Sequence, residues 1–204
     1  MGSRMMHVMI ALRIAERLAI EDRTLFVLGN IAPDAVSPKD ASHFFTGDVR
    51  DYSRSVDYNG FIYKYDSYAE SPYIWGYFTH LLADHVWLKG FYLPWLRNRI
   101  EANQDVLHVY HNDFRLLNGK LLTYYGYQDE LRSLFRELPS MMDLHEVKSV
   151  DVQNLIPHVL SDMDYDEKVE DEKLNVFTFE QIVGYLETSV DLGIWHLKRL
   201  LTSR

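Results

Sequence analysis

Between Pro72 and Leu88 the sequence is apolar nearly all round a helix, with Trp75, Phe78, Leu81, Leu82, Val86 and Trp87 spread over every face, yet it also carries His80 and Asp84. A helix of that profile belongs at the centre of a fold, with other elements packed on all sides of it. A carboxylate in such a place is costly unless something neutralises it, so Asp84 calls for a metal ion, an arginine or a tyrosine. His80 and Asp84 stand at i and i+4, which projects an imidazole nitrogen and a carboxylate from one face about one turn apart. Ser71-Pro72 gives the segment a plausible start, a cap residue followed by proline at the first helical position.

The rest of the chain supplies helices to pack around it. From about Met5 to Ala19, Val8, Ile10, Ala11, Ile14, Ala15 and Leu18 recur at helical spacing, with Arg13, Glu16 and Arg17 opposite and His7 in the first turn. After Leu25-Phe26-Val27-Leu28, the residues Gly29 and Pro33 punctuate a short helix and leave Asp34 in a loop. Residues 37 to 59 show no regular period and read as a long connection carrying His43. Helices are predicted from about Tyr92 to Glu101, Asp105 to Tyr124 and Asp129 to Leu138, with a weaker one from Val152 to Leu160. A closing helix spans about 178–202. No segment alternates as strands do, so the predicted class is all-α, a single multi-helix domain over residues 1–204.

Composition narrows the chemistry. With 30 acidic and 21 basic side chains the formal net charge is −9, which opposes binding to a nucleic-acid backbone, and the sequence shows no basic cluster. There are no cysteines, so any metal is held by His, Asp or Glu. No apolar run has the length of a signal peptide or a transmembrane helix, which makes a cytoplasmic protein the default expectation. The acidic loop at about 161–175 contains Asp162-Met163-Asp164-Tyr165-Asp166-Glu167, but Glu167 replaces the turn glycine of a calcium loop and Lys173 its closing glutamate. It reads as a solvated acidic segment.

The sequence Gly76-Tyr77-Phe78-Thr79-His80-Leu81-Leu82-Ala83-Asp84 is accompanied by Gly29-Asn30-Ile31-Ala32-Pro33-Asp34, by Ser42-His43 and by the early His7. In that order, His, Pro-Asp, His, then Gly-x-x-x-His-x-x-x-Asp, the set resembles the zinc-dependent phospholipase C family over roughly the N-terminal half of the chain. The resemblance implies an all-α fold holding two or three Zn²⁺ ions, with other divalent metals open, and a phosphoester substrate, lipid or small molecule. It implies metal ligation by His7, Asp34, His43, His80 and Asp84, with Asp34 also the catalytic base. The stretch from His108 to Asn118 looks like the corresponding helix of small intracellular relatives. It adds His111 and Asp113 as further ligand candidates, although i and i+2 do not share a helix face. Arg115 stands where the family has the glutamate partner of His111. His85 and His108 are expected beside the ligands rather than on an ion.

Residue types of this kind suit Zn²⁺ and similar ions, which bring the pKa of bound water toward neutrality, so a phosphodiester can be attacked by metal-activated water. Two other readings stay open at this point. One is a helical metal-binding or scaffold protein without turnover. The other is an HD-type phosphohydrolase, which requires adjacent His-Asp where this chain has Asp84-His85.

Overall fold

The computed structural model describes residues 2–202, and these are mostly helical. Helix α1 (Arg4–Arg17) opens on Ser3, whose hydroxyl accepts from the Met6 N–H. It ends two residues before the expected Ala19 because Ala19 takes a left-handed conformation, φ 50°. Helix α2 (Arg23–Ile31) is capped by Asp22, which accepts from the Leu25 N–H at 2.9 Å, and leads into a 3-10 turn, Ala32–Ala35, that carries Asp34.

The connection after Val36 is more structured than its irregular sequence suggests. Phe45–Thr46 (β1) and Ser55–Val56 (β2) pair antiparallel, Phe45 opposite Val56, and α3 (Tyr58–Lys64) follows, capped by Asp57. Strands of two residues carry too little alternation to be read from sequence.

Helix α4 (Pro72–Trp87) begins at Pro72 as predicted. It does not stop at Leu88. It runs on as a π-helical stretch, Leu88–Leu96, which takes in Gly90 and Pro94 and joins α5 (Arg97–Ala102). Proline has no N–H to donate, and a widened turn accommodates that loss without ending the helix. Helix α6 (Asp105–Tyr125) ends at Gly126, φ 77°. Helix α7 (Gln128–Leu134) is shorter than predicted, and α8 (Ser149–Ser161) is longer. Helix α9 (Phe179–Thr202) closes the described chain. Among the described residues no helix is long and apolar enough to cross a membrane.

Helix α4 is central, as its apolar circumference requires: α2, α9 and α1 all pack on it, and Tyr73, Ile74, Tyr77, Leu81, Leu82, Ala83 and Trp87 are fully buried. Gly29, expected to interrupt its helix, instead lies within α2 and lets it cross α4 at backbone contact. A Cβ on Gly29 would fall 2.0 Å from the Tyr73 carbonyl oxygen, and one on Gly76 would fall 1.9 Å from that of Phe26. No side chain larger than hydrogen fits at either position.

Gly76→Ala is therefore expected to destabilise the fold by at least about 1–3 kcal/mol, the usual range for overpacking. Gly90→Ala, where a Cβ meets nothing within 4 Å, serves as the contrast and should be neutral or stabilising by up to about 1 kcal/mol. Urea denaturation midpoints of the two variants check both statements.

Candidate metal centre

The close crossing of α2 and α4 sets the first ligand. It brings the Asn30 carbonyl oxygen within 2.7 Å of His80 Nδ1, while the Asn30 side chain donates to Thr79 Oγ1 at 3.2 Å and to the Gly76 carbonyl at 3.4 Å. A carbonyl only accepts, so Nδ1 of His80 carries the proton and Nε2 is left with a lone pair. The same logic fixes His43. Its Nδ1 lies 3.1 Å from the Lys39 carbonyl and 3.0 Å from Ser42 Oγ, whose own proton goes to the Pro33 carbonyl at 2.8 Å. Tyr77 holds this loop by donating to the Ser42 carbonyl at 2.6 Å. Phe44, immediately after, is in a left-handed conformation, φ 49°. That costs a non-glycine residue about 1–2 kcal/mol, a strain held beside the site by the surrounding packing.

With an Nδ1 proton on each ring, the two Nε2 atoms point at one another 3.3 Å apart, an approach that a cation shared by both nitrogens makes favourable. The carboxylates converge on the same point. His43 Nε2 is 3.5 Å from Asp34 Oδ1 and 3.5 Å from Asp84 Oδ2, and His80 Nε2 is 3.8 Å from Asp84 Oδ2. His7 lies flat on His80, ring centroids 3.7 Å apart, with its Nε2 3.4 Å from Asp84 Oδ1. Neither nitrogen of His7 has a hydrogen-bond partner of good geometry. Two sets of donor atoms, His7-Asp34-His80 and His43-His80-Asp84, each lie within 4.8 Å of one another. The His7, His43, His80 and Asp84 side chains are fully buried, and that of Asp34 is 3% exposed.

Burial alone would raise the carboxyl of Asp34, but His43, His80 and Lys39 hold it well below the usual carboxylate range. Asp84 is likewise held low against its burial, with His7, His80 and His43 around it. Burial and the neighbouring His7 push His80 well below the usual imidazole range. Two ionised carboxylates and at least one neutral imidazole thus share a site that is buried except where Asp34 meets a cleft, and a divalent ion satisfies them all. Three nitrogen and two carboxylate ligands, with no thiolate, suit Zn²⁺ and comparable first-row ions. The buried His and Asp groups can bind a metal ion.

The other candidates fall elsewhere. His111 lies on the outer face of α6 and lines a cleft beside the cluster. Asp113, two residues on and pointing the other way, is fully buried and accepts the backbone N–H groups of Asn175, Val176 and Phe177 at 2.7–3.2 Å. Those bonds tie the segment before α9 to α6 and use the carboxylate's acceptor capacity, so the structure gives Asp113 a different task from metal ligation. His85 sets its ring edge against Tyr58, centroids 5.3 Å apart, and His108 is exposed on α6. Neither supports the five converging side chains.

The sequence reading missed Tyr185. This side chain of α9 is 2% exposed, and a Cβ on Gly2 would lie 3.2 Å from its hydroxyl and 3.3 Å from His7 Nε2. Burial and Asp84 raise its pKa well above 10, so it stays protonated. Its helical spacing marked it only as a core residue. Comparison with known proteins finds no family model, no curated relative and no solved structure that matches this chain.

Chelated protein should therefore gain stability when Zn²⁺ is restored, by about 2.7 kcal/mol at a free concentration of a hundred times Kd. Asp84→Ala and His43→Ala should lose both that gain and the bound metal in elemental analysis. Retention of full stoichiometry by either variant would show that the residue is not a ligand.

Proposed function

We propose that the chain is a metal-dependent hydrolase of phosphoesters, phosphodiesters first, that acts through metal-activated water. The observation that carries this reading is the pair of imidazole nitrogens facing each other at 3.3 Å, flanked by two ionised carboxylates. The ordered set of motifs resembling the zinc-dependent phospholipases C supports the same reading. When bound, a divalent ion supplies Lewis acidity and lowers the pKa of water toward neutrality.

The chain's own residues do the rest. Asn30, Ser42 and the Lys39 carbonyl keep the His80 and His43 rings in one tautomer and one orientation, as supporting groups do for metal-ligating histidines generally. Asp34 stands where the buried cluster meets a cleft of about 500 Å³. Its low pKa keeps it unprotonated at neutral pH, so it can accept the proton of an attacking water. The wall formed by Tyr110 and Phe114 offers the ester an apolar surface.

One observation favours a second reading, a metal-binding protein without turnover: the Lys39 ammonium is in contact with Asp34 Oδ1, which engages the proposed base. The HD-type reading has less support, since His85 faces Tyr58 and no adjacent His-Asp pair meets at the cluster.

Hydrolysis of bis(p-nitrophenyl) phosphate by protein loaded with Zn²⁺ or Mn²⁺ separates the two readings. Turnover is expected, and Asp34→Asn should lower it by about 10²–10⁴-fold, the usual contribution of general-base catalysis, with His43, His80, His7 and Asp84 still holding metal. Full activity in that variant would remove Asp34 from the role of base. Metal-loaded wild type that hydrolyses no phosphoester at all would leave the non-catalytic reading.

A further inference from the structure

Over the whole chain acidic side chains outnumber basic ones, 30 to 21, for a net charge of −9. The cleft at Asp34 is an exception. Arg4, Lys39 and Arg115 all line it, together with His111, which sits one helical turn before Arg115 on α6. Three cations and an imidazole share one opening of about 500 Å³ with two carboxylates, Asp34 and Asp162, so cations outnumber carboxylates next to the cluster proposed to cleave a phosphoester.

The three cations are not equally committed. Arg4 is engaged with Asp162, at 2.9 Å from Nε and 2.8 Å from Nη2. Lys39 rests on Asp34, with its side chain half-exposed. Arg115 is the loosest: its nearest carboxylate, Glu172, is 3.9 Å away with both groups largely in water, and it otherwise makes long bonds of 3.3 and 3.4 Å to Asn112. A contact of that length between exposed groups holds little energy. Lys39 in turn has a counter-ion that the proposed function assigns to metal and water. When Asp34 serves those, the ammonium can turn into the cleft that it lines together with Arg115.

We propose that this cleft holds a second anionic group of the substrate: the phosphoester cleaved at the cluster carries a further phosphate or carboxylate, which Arg115 and Lys39 grip. The inference rests on the hydrolase reading for the position of the scissile group, and on the placement of the cations for the second charge. Arg115 supplies a planar two-pronged donor suited to such an anion, and Lys39 a mobile point charge.

Two small probes test this on the metal-loaded chain: methyl phosphate, with one anionic group, and phosphoglycolate, a phosphate ester with a second, carboxylate group. Calorimetric titration should show phosphoglycolate binding at least about tenfold more tightly, the equivalent of one charge-assisted contact. Arg115→Gln and Lys39→Gln should each reduce that ratio severalfold, the pair together should bring it near unity, and raising salt should shrink it in wild type. Equal affinities in wild type, or a ratio that survives in the double variant, would overturn the proposal, as would failure of both probes to bind. Assay of the same preparations with bis(p-nitrophenyl) phosphate keeps the two readings apart. Turnover with no affinity ratio removes the second-anion subsite and leaves the hydrolase. A cation-dependent ratio without turnover removes the hydrolase and leaves an anion-binding cleft.

Discussion

The hydrogen bond from His80 Nδ1 to the Asn30 carbonyl depends on two helices touching backbone to backbone. Gly29 and Gly76 permit that contact, and each has a main-chain carbonyl where a methyl group would sit. An interaction between a side chain and a main-chain acceptor on a neighbouring helix is as precise as the packing beneath it. Here the packing has no slack, so the imidazole has one tautomer and one direction. The other donors are arranged around that ring: His7 stacked on it, His43 meeting it edge-on, and Asp84 one turn further along the same helix.

A buried collection of two carboxylates and three imidazoles is not a favourable core on its own terms. Desolvation opposes each charge, and the low pKa values of Asp34 and Asp84 mean that protonation does not relieve it at neutral pH. Such a cluster persists when something else in the design requires it. The strained conformation of Phe44 beside His43 points the same way, since strain and buried charge tend to gather where a protein keeps a function.

How much of this was legible in the sequence depended on whether the cause was local. His80 and Asp84 were readable because four residues make about one helical turn, and the central position of α4 was readable because a helix apolar on all faces has nowhere else to go. His7 followed from its helix, and Asp34 and His43 from the order of motifs. The roles of Gly29 and Asp113 were not legible, because each is defined by a partner far away in sequence: Tyr73 and residues 175–177 respectively. Gly29 carries the same letter whether it ends a helix or admits a neighbour. His111 and Asp113, at i and i+2, cannot share a helix face, and the structure turns them to opposite sides of α6. The π-helical run through Pro94 escaped notice because proline ordinarily marks a boundary.

The Asp113 clamp has a mechanical side as well. By seizing three successive amides just ahead of α9, it couples α6 to α9, so that Tyr110, His111 and Arg115 on one side of the cleft share a frame with Tyr185 behind the cluster. Lys39 belongs to a separate connection, anchored through Tyr77 and the Ser42 carbonyl to α4. The two walls of the cleft thus hang from different parts of the scaffold, one from the joined α6 and α9 and the other from α4, so a substitution that loosens one wall leaves the bonds of the other intact.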